Sequence, residues 1–394
     1  MTNPLEKVVA QKKEAIEAVM EMFERGAEVL ASAVGEIFPL CEVAAPILRL
    51  TLDNVQSNEV FYVKEQFLSV RNKLDILSTQ LEEIDYEIKK GQVDAQYFSV
   101  EENIHNQFRK YMDIFEAKPQ FRETKTRLFL EHFSKTGGEK NLNSLCDAVL
   151  GRNIFVESVL EVVKNYEGHN RRILENFCVR MKELFCLGLI ALLGHTALTQ
   201  EEEEEQQIIE KWNQKMQEVE IRMKTAIEEC VAAFPEQACL DIQRLVREKG
   251  EKSDPDTAQE LVEFLSKKYD WVCWSVRVVS HSGSSYRNWR AGDNFQHVVG
   301  QSWFDVPNIN NVTVVVSYSS RPQPVLQDCI QQLMDGMGKK GDVQLVAEDL
   351  ERKFPGMVVH TVSRHKEISA YWSFPEDCHY WKKHKNMALC VHSE

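Results

Sequence analysis

Five stretches carry residue types that could do chemistry. Gly336-Met337-Gly338-Lys339-Lys340-Gly341 has the glycine spacing of a dinucleotide-binding turn, in which backbone amides at a helix start cradle a pyrophosphate. The apolar periodicity on both sides is helical, so the strand that must precede such a turn is missing, and a turn between two helices is the better reading. Cys378, His379 and His384 are metal-ligating types, but no second pair completes the four donors of a structural zinc site. Gly283-Ser284-Ser285 lacks the second glycine of a nucleophile elbow. His195 borders a long apolar run, where protonation would loosen the packing, although a satisfied core histidine is the commoner case. Tyr380, Trp381, Lys382, Lys383 and Lys385 interleave aromatic and basic residues, a composition that suits acidic lipid or a nucleic-acid strand. None of these supplies a catalytic constellation. The expectation is therefore a protein that is not an enzyme, with no metal and no cofactor.

The elements that must position these residues fall into two differently composed regions. Of 394 residues 43% are hydrophobic and 27% charged, which is ordinary folded material, and the length favours two or three domains. The net charge of −14 argues against a dedicated binder of nucleic-acid backbone. Residues 255–394 hold 15 Lys+Arg against 16 Asp+Glu, so nearly all of the excess charge lies before them. Six of the seven tryptophans (Trp271, Trp274, Trp289, Trp303, Trp372, Trp381) lie in the same C-terminal region. The polar stretch Glu248–Asp256, with Gly250 and Pro255, is the expected boundary, giving a helical region over 1–250 and an α+β region over 256–394. The ten cysteines include no Cys-x-x-Cys pair and sit mostly among apolar neighbours, as reduced buried thiols do. The start lacks the charge and apolar pattern of a secretory signal, so the expected location is cytoplasmic.

The N-terminal region reads as long helices. A first helix is expected over Leu5–Ile37, with Val8, Ala15, Val19, Met22, Val29 and Ala33 on one face. Val60, Val63, Phe67, Val70, Leu74, Leu77, Leu81, Ile84 and Ile88 are spaced alternately by three and four, the pattern of a coiled-coil-like seam. The seam either packs inside a bundle or pairs two chains. A second phase from Tyr97 to Phe115 implies a very long helix, or one bent near Gly91.

The sharpest feature is ELFCLGLIALLGHTALTQEEEEE at 183–205. From Leu184 to Leu193 the helix is apolar all round, with Leu184, Phe185, Leu187, Leu189, Ile190, Leu192 and Leu193 as its bulky residues; such a helix needs burial on every side or lipid. Ten residues span about 15 Å, half a hydrocarbon core, so this is no ordinary transmembrane helix. The stretch at 37–50 is a second candidate of the same kind. Thr199-Gln200-Glu201-Glu202 has the form of a capping box opening the next helix, whose buried stripe would run through Trp212, Met216, Val219, Met223 and Cys230.

In the C-terminal region, alternation predicts strands over 271–280, 295–304, 311–319, 369–374 and 387–392 in a largely antiparallel sheet. AEDLERKFPGMVVHTVS echoes VEFLSKKYDWVCWSVRV at a shift of 85 residues, which suggests two copies of a helix-then-strands unit. The fold class expected is mainly α: an elongated bundle with a smaller α+β domain.

Several stretches together, EENIHNQFRKYMDIFEAKPQFRE, FSKTGGEKNLNSLCDAVLG, NRRILENFCVRMKELFCLGLIALLGHTALT and KKYDWVCWSVRV, resemble the fish rapunzel family and, more distantly, the cephalotoxin-like proteins of molluscs. The resemblance implies a non-enzymatic protein tied to growth of fin and skeletal tissue; the expected mode of action is through protein partners or self-association. The layout of long helices with an apolar hairpin also resembles α-helical pore-forming toxins, which makes insertion into a lipid membrane the alternative.

Overall fold

The structure, a computed structural model, describes residues 4–25, 37–83, 94–152, 157–166, 168–249, 256–280, 295–309, 312–336, 342–363, 367–384 and 387–394; for 73–83, 94–98, 249 and 307–309 it describes the backbone alone. It divides into two compact units, Met1–Val231 and Ala232–Glu394.

The first unit is a helical bundle built of α1 (Pro4–Arg25), α2 (Phe38–Glu42), α3 (Ala44–Leu52), α4 (Asn58–Glu83), α5 (Asp94–Glu116), α6 (Arg122–Lys135), α7 (Glu139–Leu150), α8 (Val159–Tyr166), α9 (Arg171–Thr199) and α10 (Glu202–Ala232). The expected first helix starts as read, but it buries Val9, Ile16, Val19 and Phe23, whereas Val8 and Ala15 lie on its exposed side; residues 26–36 lie outside the described residues. The long seam begins as α4, and residues 84–93 around Gly91 are likewise outside.

The expected capping box does not form. Thr199 is the last residue of α9, and its hydroxyl donates back to the His195 carbonyl at 2.9 Å. The glutamates Glu202 to Glu205 nevertheless fill the first turn of α10, where the helix dipole favours carboxylates.

The second unit starts with α11 (Phe234–Lys249) and α12 (Thr257–Lys268), followed by β1 (Cys273–Ser280), β2 (Gln296–Val299), β3 (Trp303–Ile309) and β4 (Val312–Ser319). Two helices, α13 (Gln327–Gly336) and α14 (Val343–Lys353), then lead into β5 (Met357–Ser363), β6 (Glu367–Trp372), β7 (His379–Lys383) and β8 (Met387–Ser393). The division falls before α11, not at the polar stretch 248–256, because α11 buries Ala238, Ile242 and Val246 in the core shared by α12, β1 and β4.

The strands form two antiparallel sheets, ordered β3-β4-β1-β6 and β2-β5-β8-β7. Helices α11 and α12 cover the outer face of the first through Trp274, Val276 and Val314. Helices α13 and α14 cover the second through Val359, Leu389 and Val391. The inner faces meet, with Val279 of β1 against Val362 of β5 and Ala388 of β8. Reading β1 as β5, β2 as β6, β3 as β7 and β4 as β8 turns one strand order into the other. The repeat heard in the sequence is thus a duplicated unit in which β2 pairs with β5, and β6 pairs with β1, so each copy lends a strand to the other's sheet.

Candidate functional site

The apolar helix α9 is built as a buried axle. Asn170 caps its start, the side chain accepting from the Ile173 amide. From Leu184 to Leu193 every residue is buried, with Leu184, Phe185, Leu187, Leu189 and Ile190 at 0% exposure. Helices α2, α3, α4, α5, α7 and α8 surround it, and Trp212, Met216, Val219 and Met223 of α10 belong to the same core. Burial of this kind stabilises by roughly 1.5–3 kcal/mol per large side chain, as an upper estimate.

Two glycines set how closely the neighbours approach. A Cβ on Gly188 would stand 2.5 Å from Cδ2 of Leu142 on α7, and one on Gly194 would collide with the ring of Tyr111 on α5. The Tyr111 hydroxyl donates to the Ala44 carbonyl of α3 at 2.7 Å, and its ring meets Phe67, Phe115 and Phe129. Burial pushes its phenol well above the usual tyrosine range. His195 stacks on Phe133 with centroids 4.4 Å apart, and burial lowers its pKa.

The N-terminal half of α9 is polar yet enclosed. Lys182 pairs with Glu220 of α10 at 3.5 Å, both almost fully buried. The same α10 is fastened along its length: Arg49 of α3 to Glu205, the Trp212 indole to Glu139 of α7, Lys164 of α8 to Glu229. The second apolar stretch, α2 with α3, packs directly on α9, where Cys41 Sγ and Cys186 Sγ lie 3.8 Å apart. The two segments singled out for membrane insertion therefore bury one another. Among the described residues no helix is long and apolar enough to cross a membrane.

The seam divides by place. Val63, Phe67 and Val70 are fully buried in the bundle core and Val60 is partly buried against it. Leu74, Leu77 and Leu81 lie on the later turns of α4, where only the backbone is described, and Ile84 and Ile88 are outside the described residues.

The basic and aromatic stretch is a strand. In β7 Tyr380 points into the core beneath α13, its hydroxyl 3.0 Å from Gln331 Oε1, and Trp381 packs between the sheets. Lys382 and Lys383 are exposed, and Lys385 lies outside the described residues. The strand alternates faces, so the four described residues share no single surface. Cys378, His379 and His384 do not converge either: the Cys378 thiol faces Asp377, His379 turns between the sheets, and His384 meets the Tyr380 hydroxyl.

Sequence reasoning missed the polar centre between the sheets. Arg277 of β1 is fully buried, donating from Nε to His360 Nδ1 at 3.1 Å and from Nη1 to Ser275 and Ser317. Ser275 Oγ also contacts His379 Nε2 at 2.9 Å, and Ser317 Oγ contacts His392 Nε2. Cys390 Sγ is 3.3 Å from His379 Nε2. Burial holds all three histidines neutral, His379 down to about 2 and His392 to about 3. The only signal was the alternation of Ser275 and Arg277 with Trp274 and Val276, which reads equally well as a solvated face.

A helical bundle closed on an apolar axle is the class of protein these features define. The family model of the cephalotoxin-like middle helical domain matches residues 54–252, and the chain belongs to that family. It is 35% identical over 202 residues to Protein rapunzel of Danio rerio, covering 51% of this chain and 88% of that protein. It is 21% identical over 252 residues to SE-cephalotoxin of Acanthosepion esculentum, covering 61% of this chain and 23% of that protein, so it spans less than a quarter of the toxin. No solved structure matches the chain.

Proposed function

We propose that the chain is a non-enzymatic, rapunzel-like interaction protein that acts through protein contacts or self-association, in the setting of fin and skeletal growth that the resemblance implies. The observation carrying this reading is the fit of Gly188 to Leu142 and of Gly194 to Tyr111. A helix notched for particular neighbours is fitted to its place in this bundle, and leaving it would forfeit that close packing. The buried Lys182 with Glu220 adds to this, because drawing α9 out would strand both charges.

The second reading is a membrane-active protein that releases α9 together with α2 and α3. It is favoured by the mutual packing of those segments and by the presence of a protein named as a toxin among the relatives. Flotation and dye release with neutral and anionic vesicles, at pH 7.4 and about 5.5, separate the two, with sedimentation velocity reporting self-association. The expected result is no flotation and no leakage. Leakage by folded protein that is lost when Cys41 and Cys186 are cross-linked would overturn the first reading in favour of the second.

A further inference from the structure

Several other buried charges among the described residues meet their opposites: Lys182 lies against Glu220, Lys164 against Glu161 and Glu229, and Asp241 against Lys268. Arg277 differs. It is 0% exposed, and among the described residues its surroundings are serine, histidine and cysteine, with no carboxylate. A buried cation without a counter-charge is among the costliest arrangements a fold can hold.

Counting hydrogen bonds shows what is missing. A guanidinium has five N–H groups. Nε uses one on His360 Nδ1 and Nη1 is spent on Ser275 and Ser317. Nη2 has no oxygen or nitrogen acceptor. His360 accepts from the arginine, so its proton sits on Nε2, facing Gln296 Oε1. His392 donates from Nδ1 to the Ser393 carbonyl and accepts from the Ser317 hydroxyl. His379 Nε2 lies against both the Ser275 hydroxyl and the Cys390 thiol, and its Nδ1 is buried without a partner. The tautomers of His360 and His392 follow from the network. The result is a buried guanidinium whose Nη2 edge lacks an oxygen or nitrogen acceptor, in a centre of net positive charge.

We propose that the polar centre around Arg277, between the sheets, binds a small anion, which supplies the absent counter-charge and a strong acceptor for Nη2. The anion must be small. Trp372 stacks on the His379 ring with centroids 4.4 Å apart, and Phe374 closes against His379 and His392. Chloride and inorganic phosphate are the probes that fit this description. The site owes nothing to the helical bundle, so it stands or falls separately from the function proposed above.

The test uses the full chain exchanged into a buffer whose only anion is bulky and organic. Thermal unfolding is then followed while chloride or phosphate is titrated. The expected result is a rise in Tm that sets in near the Kd, at a concentration differing between the two anions, and then grows with the logarithm of anion concentration, because a ligand that binds only the folded state stabilises by RT ln(1 + [L]/Kd). Arg277→Met should abolish this rise, whereas Arg352→Met, which removes an exposed arginine, should leave it unchanged. Should the Met variant fail to fold, chloride-35 line broadening of the native protein, displaced by phosphate, gives the same answer without a mutation. A salt response that is the same in wild type and Arg277→Met, or native protein that does not broaden the chloride signal, would overturn the proposal.

Discussion

Tyr111 lies across Gly194 so closely that the glycine cannot carry a side chain without displacing the ring. The ring in turn is held by its hydrogen bond to Ala44 and by Phe67, Phe115 and Phe129, so it has nowhere to move. A methyl there overpacks the core at about 1–3 kcal/mol, against about 1 kcal/mol gained by replacing a helical glycine. Gly194→Ala should therefore lower stability by up to about 2 kcal/mol in urea unfolding. Gly336→Ala, with open space around it, should be neutral or slightly stabilising. Equal effects at the two sites would refute the interlock.

Lys182 and Glu220 pin α9 to α10 from inside the bundle. Removing one partner of a buried pair costs roughly 3–5 kcal/mol, while replacing both by apolar residues is often neutral. Glu220→Gln should thus destabilise far more than Lys182→Met combined with Glu220→Leu. Additive losses in a double-mutant cycle would show that the two side chains act independently.

Cys41 and Cys186, with sulfurs 3.8 Å apart, can be joined by a small organic disulfide: two thiols are oxidised to one disulfide and the reagent leaves as two thiols. Burial pushes the Cys41 thiol well up, so the reaction should be slow until the bundle loosens. Once formed, the bond closes a loop of 145 residues and should add about 5 kcal/mol on the chain-entropy account. Mass spectrometry after alkylation detects it, and the cross-linked protein serves as the locked control in the vesicle assay.

The inter-sheet histidines make the second unit acid-sensitive. His379 and His392 titrate at about 2 and about 3 in the fold: burial is the first cause for both, His392 and then Arg277 depress His379 further, and at His392 the Ser393 carbonyl raises the value against Arg277. An unfolded histidine titrates near 6.5. Below that pH the unfolded chain takes up protons that the fold refuses. The stabilisation is present above about pH 6.5 and falls by about 1.4 kcal/mol per pH unit and per histidine toward pH 3. Between pH 7 and 5 the loss is on the order of 2 kcal/mol for each. His392→Gln should flatten the profile; identical stability at pH 7 and 5 in the wild type would contradict the neutral assignment.

Helix α9 was legible in the sequence because a helix buried on every side is written in apolar letters on every side. The stripe from Trp212 to Cys230 was legible for the matching reason. Arg277 was not, since strand alternation reports that Ser275 and Arg277 share a face without saying whether water or a second sheet lies opposite. Strand β7 was hidden because Lys382, Lys383 and Lys385 give its end the composition of a loop. The echo of Leu265, Tyr269 and Cys273 in Leu350, Phe354 and Val358 disclosed the duplication. The exchange of β2 and β6 stayed invisible, because pairing between distant strands leaves no local mark.

That exchange has a bearing on ancestry. If β2 and β6 were each returned to the copy that encodes them, either copy would be a complete small sheet with its own helices; as built, neither is. The arrangement is that of a swapped homodimer whose two subunits have been fused into one polypeptide, with residues 320–326 as the join, and two proteins made by cutting there would be expected to recover their sheets only by finding each other.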